Sequence, residues 1–313
     1  MGNKGLKDKP FDFKFPNEVR LLMQGALDLH CHAGPSMIPR RIDAVTAARQ
    51  ASEAGLSAVV VKDHHLPTVR DVHYAKEYVL KKESLKVDLI GGIALNHTVG
   101  GLNPYAVEMA LFFGARIVYL PTVSSRSHHQ HHQKEVAGAH FPATAKKFLE
   151  SDPIYLLDAQ GKLPTELSLI MEQVRDADGI LTMGHLSVPE ISAVLDLARD
   201  IGVRRLVVHH PKFIIEAKDN EIVDFARKGA MIEFSACMSD PRCKFYFIPS
   251  EELHRLIRLI GLKSVFIGSD LGQHDTPPFV EGLMVVADGL LGVGMKMEEL
   301  KILFKENPSK LLH

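Results

Sequence analysis

Tryptophan is absent from this chain and cysteine nearly so, with Cys31, Cys237 and Cys243 the three present and none in CxxC spacing. An odd, sparse set of that kind argues against a disulfide framework and a thiolate zinc site, and it fits a reducing cytoplasm. Charge of either sign is not in excess: 37 basic against 38 acidic residues leave a net charge of -1. No whole-molecule field therefore draws nucleic acid or an anionic membrane, and small substrates are the expected partners. No apolar run reaches the length of about 20 residues that a membrane-spanning helix needs. The start, MGNKGLKDKPFDFKFP, is charged and lacks the apolar stretch of a signal peptide, while Leu6 stands where N-myristoylation requires Ser or Thr. The Gly-rich phosphate turn that opens a doubly wound sheet is missing too, because the first apolar strand runs into HCHAGPS instead.

What the chain does have is 46% hydrophobic residues, enough for a substantial core in 313 residues, and seventeen histidines. After a Lys/Pro/Phe-rich leader within 1–20, short apolar runs alternate with segments of helical spacing. Strands are expected at 26–31, 58–62, 87–95, 115–120, 180–184, 204–209, 230–235 and 264–268. Helices are expected at 42–54, 69–82, 104–113, 188–201, 216–228 and 250–260, most followed by a glycine such as Gly55, Gly114, Gly202, Gly229 or Gly261. Near-continuously apolar strands suit a parallel sheet covered by helices, and eight strand–helix repeats make a closed (β/α)8 TIM barrel, here as a single domain over 1–313. One connection, 121–163, is far longer than an ordinary βα loop and carries SSRSHHQHHQKEVAGAHFP. It reads either as a lid over the barrel mouth or as a solvated or opportunistically metal-binding tract.

Active sites of such barrels lie at the C-terminal ends of the strands, so position tests each polar residue. Strand 1 reads LDLHCH, and strict alternation puts Asp28, His30 and His32 on one face with Leu27, Leu29 and Cys31 on the other. Strand 2 offers Lys62 and His64 in phase, strand 5 His185, strand 6 His209 or His210, and strand 8 Asp270. Of the strand 6 pair, His210 is favoured because it shares phase with Val208 and Leu206. Singly, such residues cap helices or bond to backbone. Five strands tipped with imidazole or carboxylate and without thiolate describe a site for one or two divalent ions: zinc foremost, with manganese, iron and nickel open.

These residues resemble the amidohydrolase superfamily: HxH on strand 1, single histidines closing strands 5 and 6, an aspartate closing strand 8, and NPSKLL at 307–312. The combination DLHCHAGPS, VKDHHLPT, LNHTVGGLNP, TMGHLS and SDLGQ is similar to an uncharacterised branch of metal-dependent hydrolases within it. That resemblance implies a metal-activated water attacking an amide, lactone or other ester of a small molecule. Ligands would be His30, His32, Lys62, His185, His210 and Asp270, with Asp270 as general base and His64 as a further ligand or transition-state stabiliser. Where the superfamily carries a carboxylated lysine on strand 4, this chain has YLPT. Lys62 is the in-phase substitute, either as a bridging carbamate or as a cation for an anionic substrate group. Ser36, Arg40, Asn96 and Arg126 are the candidate substrate-binding residues. A second similarity, to the polymerase-and-histidinol-phosphatase phosphoesterases, rests on DLHxH, VKDHH and GSD. Those seven-stranded barrels have further ligands where this chain has Pro35, Ser36 and Ala94. A non-catalytic barrel holding a structural ion or a ligand is the third reading. The apolar tail GLMVVADGLLGVGM is either a homo-oligomer contact or the last barrel helix.

Overall fold

The computed structural model describes residues 15–134 and 152–313. Among these, eight strands pair in sequence order: β1 Leu27–His32, β2 Ala58–Lys62, β3 Asp88–Ala94, β4 Ile117–Tyr119, β5 Ile180–Thr182, β6 Arg205–His209, β7 Ala230–Ser235 and β8 Val265–Gly268. Every successive pair is parallel, as β/α alternation requires. Apolar residues face both ways from each strand. Leu27, Leu29, Val60, Ile117, Tyr119, Val207 and Phe266 fill the inside, while Val59, Val61, Val118, Leu206, Val208 and Ile267 pack outward beneath the helices. That double burial is why the strands read as continuous apolar runs rather than alternating ones.

The helices end where the sequence says they should. Gly55 (φ 79°) and Gly202 (φ 92°) take the left-handed conformation that closes Ala44–Ala54 and Val188–Ile201. At the other end of Val188–Ile201, Ser187 and Glu190 form a reciprocal capping box.

The barrel closes where β8 returns to β1. The Asp270 amide donates to the His30 carbonyl at 2.7 Å and the His32 amide to the Leu271 carbonyl at 2.8 Å. Gly272 belongs to this seam: at φ 115° a Cβ would sit 1.8 Å from the His32 carbonyl oxygen, so only glycine fits. At the opposite end, the helix Asn307–Leu312 folds NPSKLL under the barrel. Leu311 and Leu312 join the inner cluster, and the Asn307 amide donates to the Leu262 and Val265 carbonyls at 2.8 and 2.7 Å.

Three sequence expectations are refined. The leader is not irregular throughout, since Asn17–Met23 is a helix with Val19, Leu22 and Met23 buried. The long connection carries a helix, Arg126–Lys134, and a bridge between Ser125 and Ile154; the lid reading rests largely on 135–151, which lie outside the described residues. The apolar tail falls in the helix Phe279–Gly292, whose Leu283, Met284, Val286, Ala287 and Leu290 are buried within the chain. Among the described residues, no helix is long and apolar enough to cross a membrane.

Candidate metal centre

β1 does not keep strict alternation. Its register against β2 shifts between Asp28 and Cys31, a bulge in which Leu29 and His30 together stand opposite Val60. Asp28 is thereby paired with outward-facing Val59, while His32 pairs with Lys62 on the inside. The expectation that Asp28 shares a face with His30 and His32 is thus corrected. Asp28 instead serves the seam, its Oδ1 accepting from the Ser269 amide at 2.9 Å and the His30 amide at 3.0 Å.

His30 and His32 turn inward together, ring centroids 5.3 Å apart. Both reach one oxygen from β8: Asp270 Oδ1 lies 3.2 Å from His30 Nε2 and 2.9 Å from His32 Nε2. Lys62 Nζ, from β2, stands 2.9 Å from His30 Nε2 and 4.8 Å above the Tyr119 ring. From β6 both histidines arrive. His209 is in phase with inward Val207, and its Nε2 lies 3.0 Å from Glu233 Oε2. His210 has the opposite phase, that of outward Leu206 and Val208, so the phase argument that favoured it fails. It enters the site because its backbone flips to φ 30°, bringing Nε2 to 3.8 Å from Asp270 Oδ2.

Sequence reasoning missed Glu233. It sits in β7 opposite His209 and Phe266, fully buried, with Oε1 2.9 Å from His30 Nδ1 and 2.6 Å from the Ser235 hydroxyl that donates to it. The signal was available: one acid inside the apolar run AMIEFS. Gly268 makes room for it, since a Cβ there would approach the carboxylate to 2.8 Å and His30 Cβ to 3.3 Å.

The remaining candidates divide. His64 and His185 line the same cavity as His32, Lys62, His210 and Asp270. His64 Nδ1 is 2.9 Å from Thr122 Oγ1, and His185 Nδ1 is 3.0 Å from His128 Nδ1. Asn96 has a different task from the one expected, because its amide bonds to the His64 carbonyl and Thr122 hydroxyl and its oxygen accepts from the Thr122 and Ser124 amides. It braces the loop under His64. Arg40 is buried beside Asp63 at 3.6 Å. Ser36 accepts from the Ile38 amide, and Arg126 is exposed with its guanidinium over the Tyr155 ring. None of Ser36, Arg40, Asn96 and Arg126 lines the cavity.

Electrostatics favour lone pairs over charge. Burial holds His30, His32, His64, His185 and His209 well below the ordinary histidine range, and brings His210 down to about 3. These imidazoles are neutral near pH 7, the form that ligates metals. Burial also brings Lys62 down to about 8 and pushes Asp270 up to about 7 against the pull of Lys62 and Arg40. Burial and the nearby Asp270 push Glu233 well above the usual carboxylate range.

This arrangement fits a divalent cation. His30, His210 and Asp270 each offer a buried ligand atom, all within 4.8 Å of one another; His30, His209 and Glu233 form a second such group. His32 Nδ1 and His210 Nδ1 are buried without a hydrogen-bond partner among the described residues. Glu233 joins the second group at 2.9 and 3.0 Å, whereas His210 Nε2 and Asp270 Oδ2 of the first stand 3.8 Å apart, so the first is the looser one. It borders a cavity of about 60 Å³ whose other wall is Phe213, Ile214, Met238 and Phe245. A larger cavity of about 300 Å³ lies at the far end of the barrel around Leu27, Ala58, Lys305 and Leu312.

The model for a family of unknown function (DUF6282) matches residues 25–233, spanning β1 to β7 and stopping at Glu233 itself. No curated protein matches the chain in sequence. Solved structures do match in fold. An amidohydrolase from Pseudomonas aeruginosa superposes with a TM-score of 0.61 at 12% identity, over 94% of this chain and 98% of that one. The phosphotriesterase homology protein from Escherichia coli, complexed with phosphate in its active site, gives 0.53 at 12% over 93% and 99%. An organophosphorus hydrolase from Deinococcus radiodurans gives 0.55 at 13% over 93% of each chain. The fold shared with these proteins is the (β/α)8 barrel expected from the sequence, and its eight strands depart from the seven-stranded phosphoesterase pattern.

Proposed function

This chain belongs to the family of unknown function DUF6282, and we propose that it is a metal-dependent hydrolase acting on an amide, lactone or other ester bond of a small molecule. The observation that carries the reading is the meeting of His30, His210 and Asp270, from three separate strands, around one buried point at the C-terminal mouth. Hydrolases from P. aeruginosa and D. radiodurans on the same fold support it.

His30, His210 and Asp270 would hold the ion, with His32 beside them and zinc the first choice for such nitrogen-rich ligands. When bound, the ion supplies a Lewis acid that acidifies water and polarises a carbonyl or phosphoryl oxygen. The protein does the rest. Asp270, 3.2 and 2.9 Å from His30 and His32, accepts the proton from the attacking water and passes it to the leaving group. Lys62 brings positive charge to the same wall, suited to an anionic oxygen of the substrate. His64 and His185 face the cavity from the strand 2 and strand 5 ends and orient the bond to be cleaved.

The test is a screen of lactones, cyclic amides and phosphoesters with zinc-loaded protein, run beside Asp270→Asn. Turnover in the wild type that disappears in the variant, with the ion retained, supports the assignment. An unaltered rate in the variant removes Asp270 as the base.

A further inference from the structure

We infer that Glu233 is a positioning residue that fixes the ring tautomer of His30 and so aims its Nε2 lone pair at the ion; the inference rests on the metal-site reading above. The Glu233 carboxylate lies between two imidazoles from different strands, 2.9 and 3.0 Å from His30 Nδ1 and 3.0 Å from His209 Nε2, with the Ser235 hydroxyl donating to it at 2.6 Å. The Ser235 hydroxyl and the charge of Lys62 oppose the push of burial and hold Glu233 as a carboxylate, whose two oxygens accept from all three groups, so His30 places its proton on Nδ1. Nε2 then carries a lone pair, which accepts from Lys62 Nζ at 2.9 Å and lies 3.2 Å from Asp270 Oδ1, the carboxylate that would share the ion.

The fold provides for this contact specifically. Gly268 of β8 stands where any side chain would collide with the carboxylate, and a Cβ would also press on His30 Cβ. A buried acid in an otherwise apolar barrel wall is costly unless it is fully hydrogen-bonded, so its partners, rather than packing, explain its presence. Carboxylates behind ligating histidines orient the ring and raise its basicity, and their loss typically lowers metal affinity by about 10–100-fold.

Glutamine in its place offers one acceptor and one donor, so it satisfies one Nδ1–H or Nε2–H and confronts the other. The measurement is two-bond ¹H–¹⁵N correlation of the histidine rings in the metal-free wild type, with His30→Gln identifying the signal. A protonated Nδ1 and bare Nε2 at His30 is the expected result; a protonated Nε2 overturns the inference and needs no folded variant of Glu233. Zinc titration of Glu233→Gln then reads the consequence, with affinity expected to fall about 10–100-fold. Unchanged zinc affinity in that variant sinks the positioning role while leaving the hydrolase reading intact. Failure of the wild type to bind zinc sinks the hydrolase reading and with it the aim at an ion, while the tautomer signal still tells whether Glu233 holds the His30 proton on Nδ1.

Discussion

The two ends of this barrel are built on opposite principles. At the N-terminal end, Leu311 and Leu312 plug the sheet, Asn307 satisfies two carbonyls, and Asp178 binds Arg204 and Arg205 at the surface. At the C-terminal end, buried histidines, Lys62, Asp270 and Glu233 crowd together, and His210 and Asp270 hold positive φ there, as Asp178 does at the other end. Left-handed backbone at such residues costs of order 1–3 kcal/mol each and persists only where surrounding structure enforces it. One end spends its residues on closing the fold, the other on holding groups that would separate if free.

Substitutions should divide along the same line. Asp270→Asn is expected to lower turnover by about 10²–10⁴-fold, the usual worth of a positioned acid or base, while the melting temperature barely moves. Kinetics and calorimetry on one preparation would show it, and a variant that unfolds without losing activity per folded molecule would erase the distinction. Leu311→Ala should do the reverse, costing about 2–5 kcal/mol of stability in urea unfolding with little change in kcat/KM. Stripping divalent ions with a chelator should lower wild-type stability by about 2.7 kcal/mol relative to an ion at a hundredfold its Kd. The His210→Ala variant should respond far less, and an equal response would place the ion elsewhere.

The smallest effect belongs to Asp178. Its Arg205 and Arg204 partners hold its carboxyl down to about 2, so its contribution to stability is complete above the ordinary carboxylate range and is lost as pH falls through about 2. The group is exposed, so solvent and salt screen the pair, and unfolding midpoints of Asp178→Asn and wild type should converge at the acid end. A gap that widens on acidification would contradict the assignment.

How much of this was legible in the residues follows the same division. Strand and helix positions came through because regular burial writes periodicity into sequence: Ala58–Lys62, Ala230–Ser235, Val188–Ile201 and Ser250–Ile260 fall where expected. The residues proposed as ligands were chosen for their position at strand tips. What could not be read was irregular backbone. Alternation misassigned Asp28 because a bulge intervenes, and it chose His210 for a phase that faces the helices, when a left-handed turn brings that residue in. Glu233 escaped because it lies within its strand rather than at the tip, and its one mark is to be the single acid in the apolar run AMIEFS.

The seam between β8 and β1 has a kinetic corollary. His32 and Asp270 touch at 2.9 Å across a sequence separation of 238 residues, so the donor atoms are assembled by a loop closure that spans most of the chain. A ribosome-bound chain that has not yet released β8 carries the imidazoles and Glu233 but lacks Asp270, the carboxylate that His30 and His32 share, so its ability to capture an ion there should appear only with completion of the cylinder.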